Sequence, residues 1–350
     1  MNKPVYLDFE NTTILKGLAI ITIVVHNLCT RMPFTVSENE FSFHLANNIE
    51  LLQAIPPPHD RFLPLSLLSY FGHYFVALFV FLSGYGLVRK YETSDNKIGI
   101  VKFIKVHYLK LMTMLLPVML AYFILMSAIS PGYFKSNLFE LALMTLLVEN
   151  LYFGNHMLGP WWFFSMIMQL YVVYRLFAYK RNLKPIIILT IICLLLQFMT
   201  IPGIGHDYRL PYVRQNCPGY ILPFLLGIVF ARKGYLPTAK TAIIATILFL
   251  LSCANAYTWI FSFALFLIMM LPLVKLIRKS PAITKALKWL GIMSAYIFVI
   301  HPVIREIFLN NPQLMNSMPY ITLAIYTSLS LVAALPTRYL TIHIRESIKI

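Results

Sequence analysis

Long apolar runs recur from one end of this chain to the other, several close to the roughly 20 residues that a helix needs to cross a bilayer. In hydrocarbon every backbone N–H and C=O must find its partner inside the protein, so runs of this kind fold as helices. No internal repeat or low-complexity tract interrupts the pattern. Composition agrees: 59% of residues are hydrophobic and 12% charged, whereas an ordinary soluble domain carries about 25% charged residues. The expected fold class is therefore all-α, a polytopic transmembrane helical bundle occupying residues 1–350 as a single domain. The first run has no small-residue cleavage site behind it and further spans follow, so it reads as a retained helix.

A formal net charge of +16 would suit a nucleic-acid binder, but no soluble domain offers a basic face to carry that function. The positive-inside rule accounts for the charge instead. Eleven apolar segments are candidate spans: 12–29, 67–88, 111–129, 138–153, 161–179, 185–201, 219–231, 241–256, 259–277, 290–309 and 320–340. If 138–153 crosses, the basic turn from Lys180 to Lys184 falls on the opposite side from the basic loop between Arg89 and Lys110. If it does not, the basic loops share one side and only Arg31, Arg61, Lys135, Arg209, Arg214 and Arg305 remain on the other. The expectation is ten spans plus one short re-entrant or interfacial helix, N-in and C-in, in the cytoplasmic (inner) membrane. Trp161, Trp162, Trp259 and Trp289 fall at span ends, where interfacial anchors belong. The loop from Thr30 to Ser66, carrying Glu38 and Glu40, reads equally as a cap over a substrate groove or as solvated chain. Four cysteines without ligand spacing give no expectation of a metal site.

Lys16 and His26 both lie in the first run, ILKGLAIITIVVHN. Ionisable side chains within a span are costly and by default mark function. On a helix the two stand about 15 Å apart along the axis and roughly 80° apart around it. Asn27 is the residue that nearly eclipses Lys16. A neutral imidazole suits a general base acting on a hydroxyl, and an ammonium suits an anion such as the phosphates of a cytoplasmic donor. A structural alternative stays open, with Lys16 snorkelling to headgroups and His26 bonding a neighbouring helix. The second span ends in FVFLSGYG, Phe79 to Gly86, just before Arg89 and Lys90. Its glycines imply close approach of a ligand or a helix, and Ser83 fits either setting. His73, near the end of that span, reads as interfacial.

These residues together resemble the membrane acyltransferase 3 family, whose polysaccharide O-acyltransferase-like members acylate envelope glycans and related acceptors. Lys16 and His26 match its basic residue and histidine, and Phe79 to Tyr85 matches its Phe-Phe-x-Leu-Ser-Gly-Phe/Tyr signature with Val80 in place of one Phe. WWFFSMIMQLY at Trp161, PFLLGIVFARKG at Pro223 and LGIMSAYIFVIHP at Leu290 are similar to three later family segments, in the family's order. The chain departs from the pattern in three places. The spacing from Lys16 to His26 is one residue shorter than usual, Lys102, Lys105, His107 and Lys110 stand where arginines are common, and Gln169 stands where many members have Glu.

The resemblance implies His26 as the catalytic residue, with Lys16, Ser83, Gly84, Tyr85, Arg89, Lys105 and Lys110 toward the donor. Asn27, Trp162, Gln169 and His301 would face the acceptor or line the bundle. It also implies acyl-CoA, as acetyl-CoA, for co-substrate with no bound cofactor, a carbohydrate or glycolipid acceptor, and a lipid bilayer but no nucleic acid as partner. The rival reading is a transporter of a small solute or lipid-linked sugar. Against it, Asp and Glu are absent from the cores of the ten spans, where proton-coupled carriers commonly need one.

Overall fold

The computed structural model describes residues 7–57, 59–93, 97–152, 158–201 and 209–349, most of them helical and none in a strand. The helices are α1 (Phe9–Cys29), α2 (Leu45–Gln53), α3 (Leu63–Phe71), α4 (Phe75–Tyr91), α5 (Ile100–Ile129), α6 (Tyr133–Ser136), α7 (Leu138–Thr145), α8 (Trp162–Val173) and α9 (Lys184–Met199). They continue as α10 (Arg209–Gln215), α11 (Cys217–Lys233), α12 (Ala239–Ser252), α13 (Ala256–Met270), α14 (Leu273–Ile277), α15 (Pro281–Leu309), α16 (Pro312–Ser317) and α17 (Pro319–Ser347). Among the described residues, six helical segments are long and apolar enough to cross a membrane: Phe9–Cys29, Leu63–Tyr91, Ile100–Ile129, Ala256–Ile277, Pro281–Leu309 and Pro319–Ser347. Two more apolar helices, α9 and α12, are shorter. Their outer faces are bare hydrocarbon, as with Ile188, Ile192 and Leu195 on α9 and Ile243, Ile247 and Leu250 on α12. Such faces belong in lipid.

The bundle is organised around α1, which packs most extensively on α15 and also touches α3, α4 and α17. Two glycines permit the α1–α15 contact, since a Cβ on Gly17 would overlap the Leu287 carbonyl and one on Gly291 the Thr13 carbonyl. Small residues let helix backbones touch in membranes, where packing rather than water drives association. A second close pair joins α4 to α11, with Gly84 facing the Phe224 backbone. Gly84 is therefore used for helix packing.

The apolar run at 67–88 lies within the membrane-length segment Leu63–Tyr91, while three other sequence expectations need correction. A 3₁₀ turn at Gly72–Tyr74 divides that segment into α3 and α4 without ending it. His73 sits in that turn with 0% exposure, so it is an interior residue, not an interfacial one. Of the four tryptophans, Trp161, Trp162 and Trp259 are 1%, 4% and 2% exposed, and only Trp289, at 43%, stands at the surface. Trp161 donates from Nε1 to the Val299 carbonyl at 2.9 Å, a polar bond inside the bundle that replaces the wet edge of an anchor. Arg214 and Arg305, counted among the few cations of the outer side, are buried at 0% and 4% exposure. In the 138–153 segment α7 ends at Thr145, which gives about 12 Å of helix and cannot traverse a bilayer; Phe153 lies outside the described residues.

Candidate active site

A cavity of about 350 Å³ opens at the C-terminal end of α1. His26 and Asn27 both line it, so the short spacing from Lys16 leaves His26 facing the cavity beside the residue at the usual register. His26 fits because its neighbour across the interface is Gly72, where a Cβ would overlap the His26 side chain. Its Nδ1 lies 3.4 Å from the Leu68 carbonyl. A proton on Nδ1 donates there and leaves Nε2 as the basic atom. The ring of His73 stands 5.9 Å away.

Arg305 on α15 enters the same cavity. It donates from Nη1 to Asn27 Oδ1 at 3.3 Å and from Nη2 to Glu306 Oε1 at 3.4 Å, while its buried Nε has no partner among the described residues. Sequence reasoning passed over Arg305 as an edge cation. The available signal was its spacing, four residues after His301 and so on the same helical face.

The roof of the cavity is the loop that follows α1. Glu38, Glu40 and Phe41 face the cavity, and Phe41 meets the Trp162 ring edge-on at 5.2 Å. Glu38 accepts from the Asn39 backbone at 2.9 Å and from Asn47 Nδ2 at 3.1 Å. Burial pushes the carboxyls of Glu38 and Glu40 each up to about 7, against opposing hydrogen bonds and, for Glu40, the Arg214 charge. Arg214 holds this roof in place. Its guanidinium lies 4.4 Å from the centres of both the Trp259 and Phe263 rings, and it donates to the Glu40 carbonyl at 2.5 Å and to Gln197 Oε1 at 2.8 Å. Of the 30–66 loop, residues 37–41 line this cavity.

A second cavity of about 300 Å³ lies toward the other end of α1. It brings together Lys16 and Ser83 with Tyr171 and a wall of Phe79, Met114, Phe163, Phe164 and Ile167. Ser83 donates to its own helix, to the Phe79 carbonyl at 2.9 Å. Other residues expected at the donor side fall elsewhere. Tyr85 is buried and donates to the Leu7 carbonyl at 2.9 Å, while Arg89 and Lys105 are exposed outside the cavity. Lys110 is half-buried near the C-terminal end of α17, where Arg345 donates to its carbonyl at 2.7 Å.

The four residues expected at the acceptor side also divide. Asn27 and Trp162 line the His26 cavity. Gln169 instead clasps α8 to α11, donating to Asn216 Oδ1 at 2.7 Å and accepting from the Cys217 backbone at 2.9 Å. His301 is fully buried with Nδ1 3.1 Å from the Ile297 carbonyl and lines neither cavity. No cluster of metal-ligating side chains occurs among the described residues.

Apolar helices of membrane-spanning length, enclosing ionisable groups in two interior cavities, define a multi-pass membrane protein. The chain belongs to the acyltransferase 3 family: the family profile, described as an acyltransferase domain, matches residues 7–339. It is a membrane acyltransferase, and the carrier reading falls away. Neither a curated protein nor a solved structure matches the chain.

Proposed function

We propose that the protein transfers an acyl group, acetyl above all, from cytoplasmic acyl-CoA to a hydroxyl of an envelope carbohydrate or glycolipid. The observation that carries this reading is the pair of cavities at the two ends of α1, one with Lys16 and one with His26. In this reading α8 with its π turn, α9, α11 and α12 join the six long segments as ten crossings of the cytoplasmic membrane, N-in and C-in. The donor approaches from the Lys16 end, where the ammonium attracts its phosphates and the apolar wall takes the pantetheine arm. The acceptor enters the His26 cavity, where carboxylates, Asn27 and the Trp162 ring offer acceptors, donors and a stacking face suited to a sugar.

His26 Nε2 removes the acceptor hydroxyl proton as the oxygen attacks the thioester carbonyl. The C–O bond forms, the C–S bond breaks, and the imidazolium returns the proton to the departing sulfur. Arg305 stands on the same cavity and supplies positive charge to the developing oxyanion. The test is transfer of labelled acetyl from acetyl-CoA to a carbohydrate acceptor by purified protein. Acceptor-dependent CoA release should appear and vanish in His26→Ala; undiminished transfer by that variant refutes the assignment.

A further inference from the structure

The two cavities have one lining residue in common, Phe298. We propose that Phe298 is the gate between them, that the acyl thioester passes its ring to reach His26, and that the ring sets the size of the acyl group that passes. The proposal rests on the donor and acceptor reading above. Its geometric part, that Phe298 separates the cavities, stands independently.

The same structural elements run along both cavities. α1 gives Lys16 to one and His26 to the other, and α4 gives Ser83 to one and Val76 to the other. On α15, Gly291 and Ala295 border the Lys16 cavity and Arg305 the His26 cavity, with Phe298 between them on one helical stripe. That stripe runs about 10 Å from Gly291 to Phe298 and about 10 Å further to Arg305. Small side chains therefore lead up to a single bulky ring at the junction.

Aromatic neighbours hold that ring from both directions. Phe163 and Phe79 stand 5.0 Å and 6.4 Å away, and His301 stands 5.5 Å away. Phenyl rings carry no hydrogen-bonding atom, so moving Phe298 breaks dispersion contacts only, each individually small. A narrow arm with slim groups can displace the ring and find it closing behind. This has a chemical use, because the His26 cavity is polar and the Lys16 cavity mostly is not. If water reached the thioester first, its oxygen would bond to the carbonyl carbon, the C–S bond would break, and the products would be free acid and CoA thiol. A closed ring withholds water until the thioester has moved up to the acceptor hydroxyl.

The test uses the full chain in proteoliposomes. Phe298→Ala should raise acceptor-independent CoA release from acetyl-CoA about tenfold relative to transfer, and raise use of butyryl-CoA relative to acetyl-CoA about tenfold, the discrimination a pocket makes over a methylene or two. Phe298→Leu, which keeps most of the bulk, should fall between the parent and Phe298→Ala and covers the case in which the alanine variant fails to fold. Separately, with the native cysteines replaced, Ser83→Cys should react with an impermeant thiol reagent from one membrane face only. Adding Phe298→Leu or Phe298→Ala should open that site to both faces. Labelling from both faces with Phe298 intact overturns the septum whatever the substrate proves to be. One-sided labelling in every folded variant, or an unchanged ratio of hydrolysis to transfer and unchanged acyl range, overturns the gate. Absence of any acetyl-CoA turnover in the parent, with the labelling pattern as expected, rejects the donor assignment and leaves the septum standing.

Discussion

The two cavities are alike in size, about 350 and 300 Å³, and opposite in chemistry. Around His26 stand two arginines, two carboxyls and two asparagines, under a roof of loop pinned by Arg214. Around Lys16 stand aromatic and thioether side chains with three hydroxyls, and no carboxyl at all. A polar cavity recognises a ligand by paired hydrogen bonds, whereas an apolar one shelters a chain and strengthens any single charge inside it. Under the proposed function, the difference suits the first cavity to chemistry and acceptor recognition and the second to donor capture. Mutations in the two should therefore move different kinetic constants.

The largest effect is expected at His26. His26→Ala should lower kcat by about 10²- to 10⁴-fold, the range spanned by a positioned general base, with little change in KM for acyl-CoA. Steady-state kinetics at varied donor would break the comparison if donor KM rose as much as kcat fell. Next comes Arg305, whose Nη1 also orients Asn27. Arg305→Ala should cost about 10²-fold in kcat/KM for the acceptor, as loss of one oxyanion donor does, and Arg305→Lys should recover part of it because charge survives but the fork is lost. Equal loss toward both substrates would argue that Arg305 holds the bundle together rather than serving one cavity. Lys16→Ala comes third. It should raise donor KM about tenfold with kcat nearly kept, the value of one charge-assisted bond to a phosphate. Lys16→Arg should retain most affinity, and a fall confined to acceptor KM would invert the division of labour.

How much of this was legible in the sequence differs between the two ends. Lys16 and His26 stood out because ionisable groups in an apolar run have no cheap explanation, and both lie on cavities. The 3₁₀ turn at Gly72–Tyr74 was hidden because the apolar run continues through it, and the partner that Gly72 makes room for, His26, lies 46 positions away in sequence. Tryptophan at a span end reads as an anchor whether it faces lipid or core, so Trp161, Trp162 and Trp259 were placed on the wrong side of their helices. Arg214 and Arg305 were counted with the cations of the outer side because a charge near a span edge gives no hint that two aromatic rings or an asparagine await it. Phe298 is one apolar residue in a long apolar helix, and only three-dimensional packing distinguishes it.

The smallest expected effect concerns the roof of the His26 cavity. Glu38 and Glu40 rise from 4.5 to about 7 because the folded loop takes their carboxyls out of water. Between those values the folded state keeps protons that the unfolded chain has already lost, so ν for the native state exceeds ν for the unfolded one and stability falls as pH rises through this window. Below about pH 4.5 both states hold the protons and the roof contributes its full stability; above about pH 7 both carboxyls are charged beneath the loop and that contribution is gone. The double variant Glu38→Gln, Glu40→Gln keeps the shape and removes the titration, so its Tm should vary less between pH 5 and pH 8 than the parent's. If the double glutamine variant keeps the parent's slope, the carboxyls are already hydrated in the folded protein, and the roof is an open loop rather than a lid over His26.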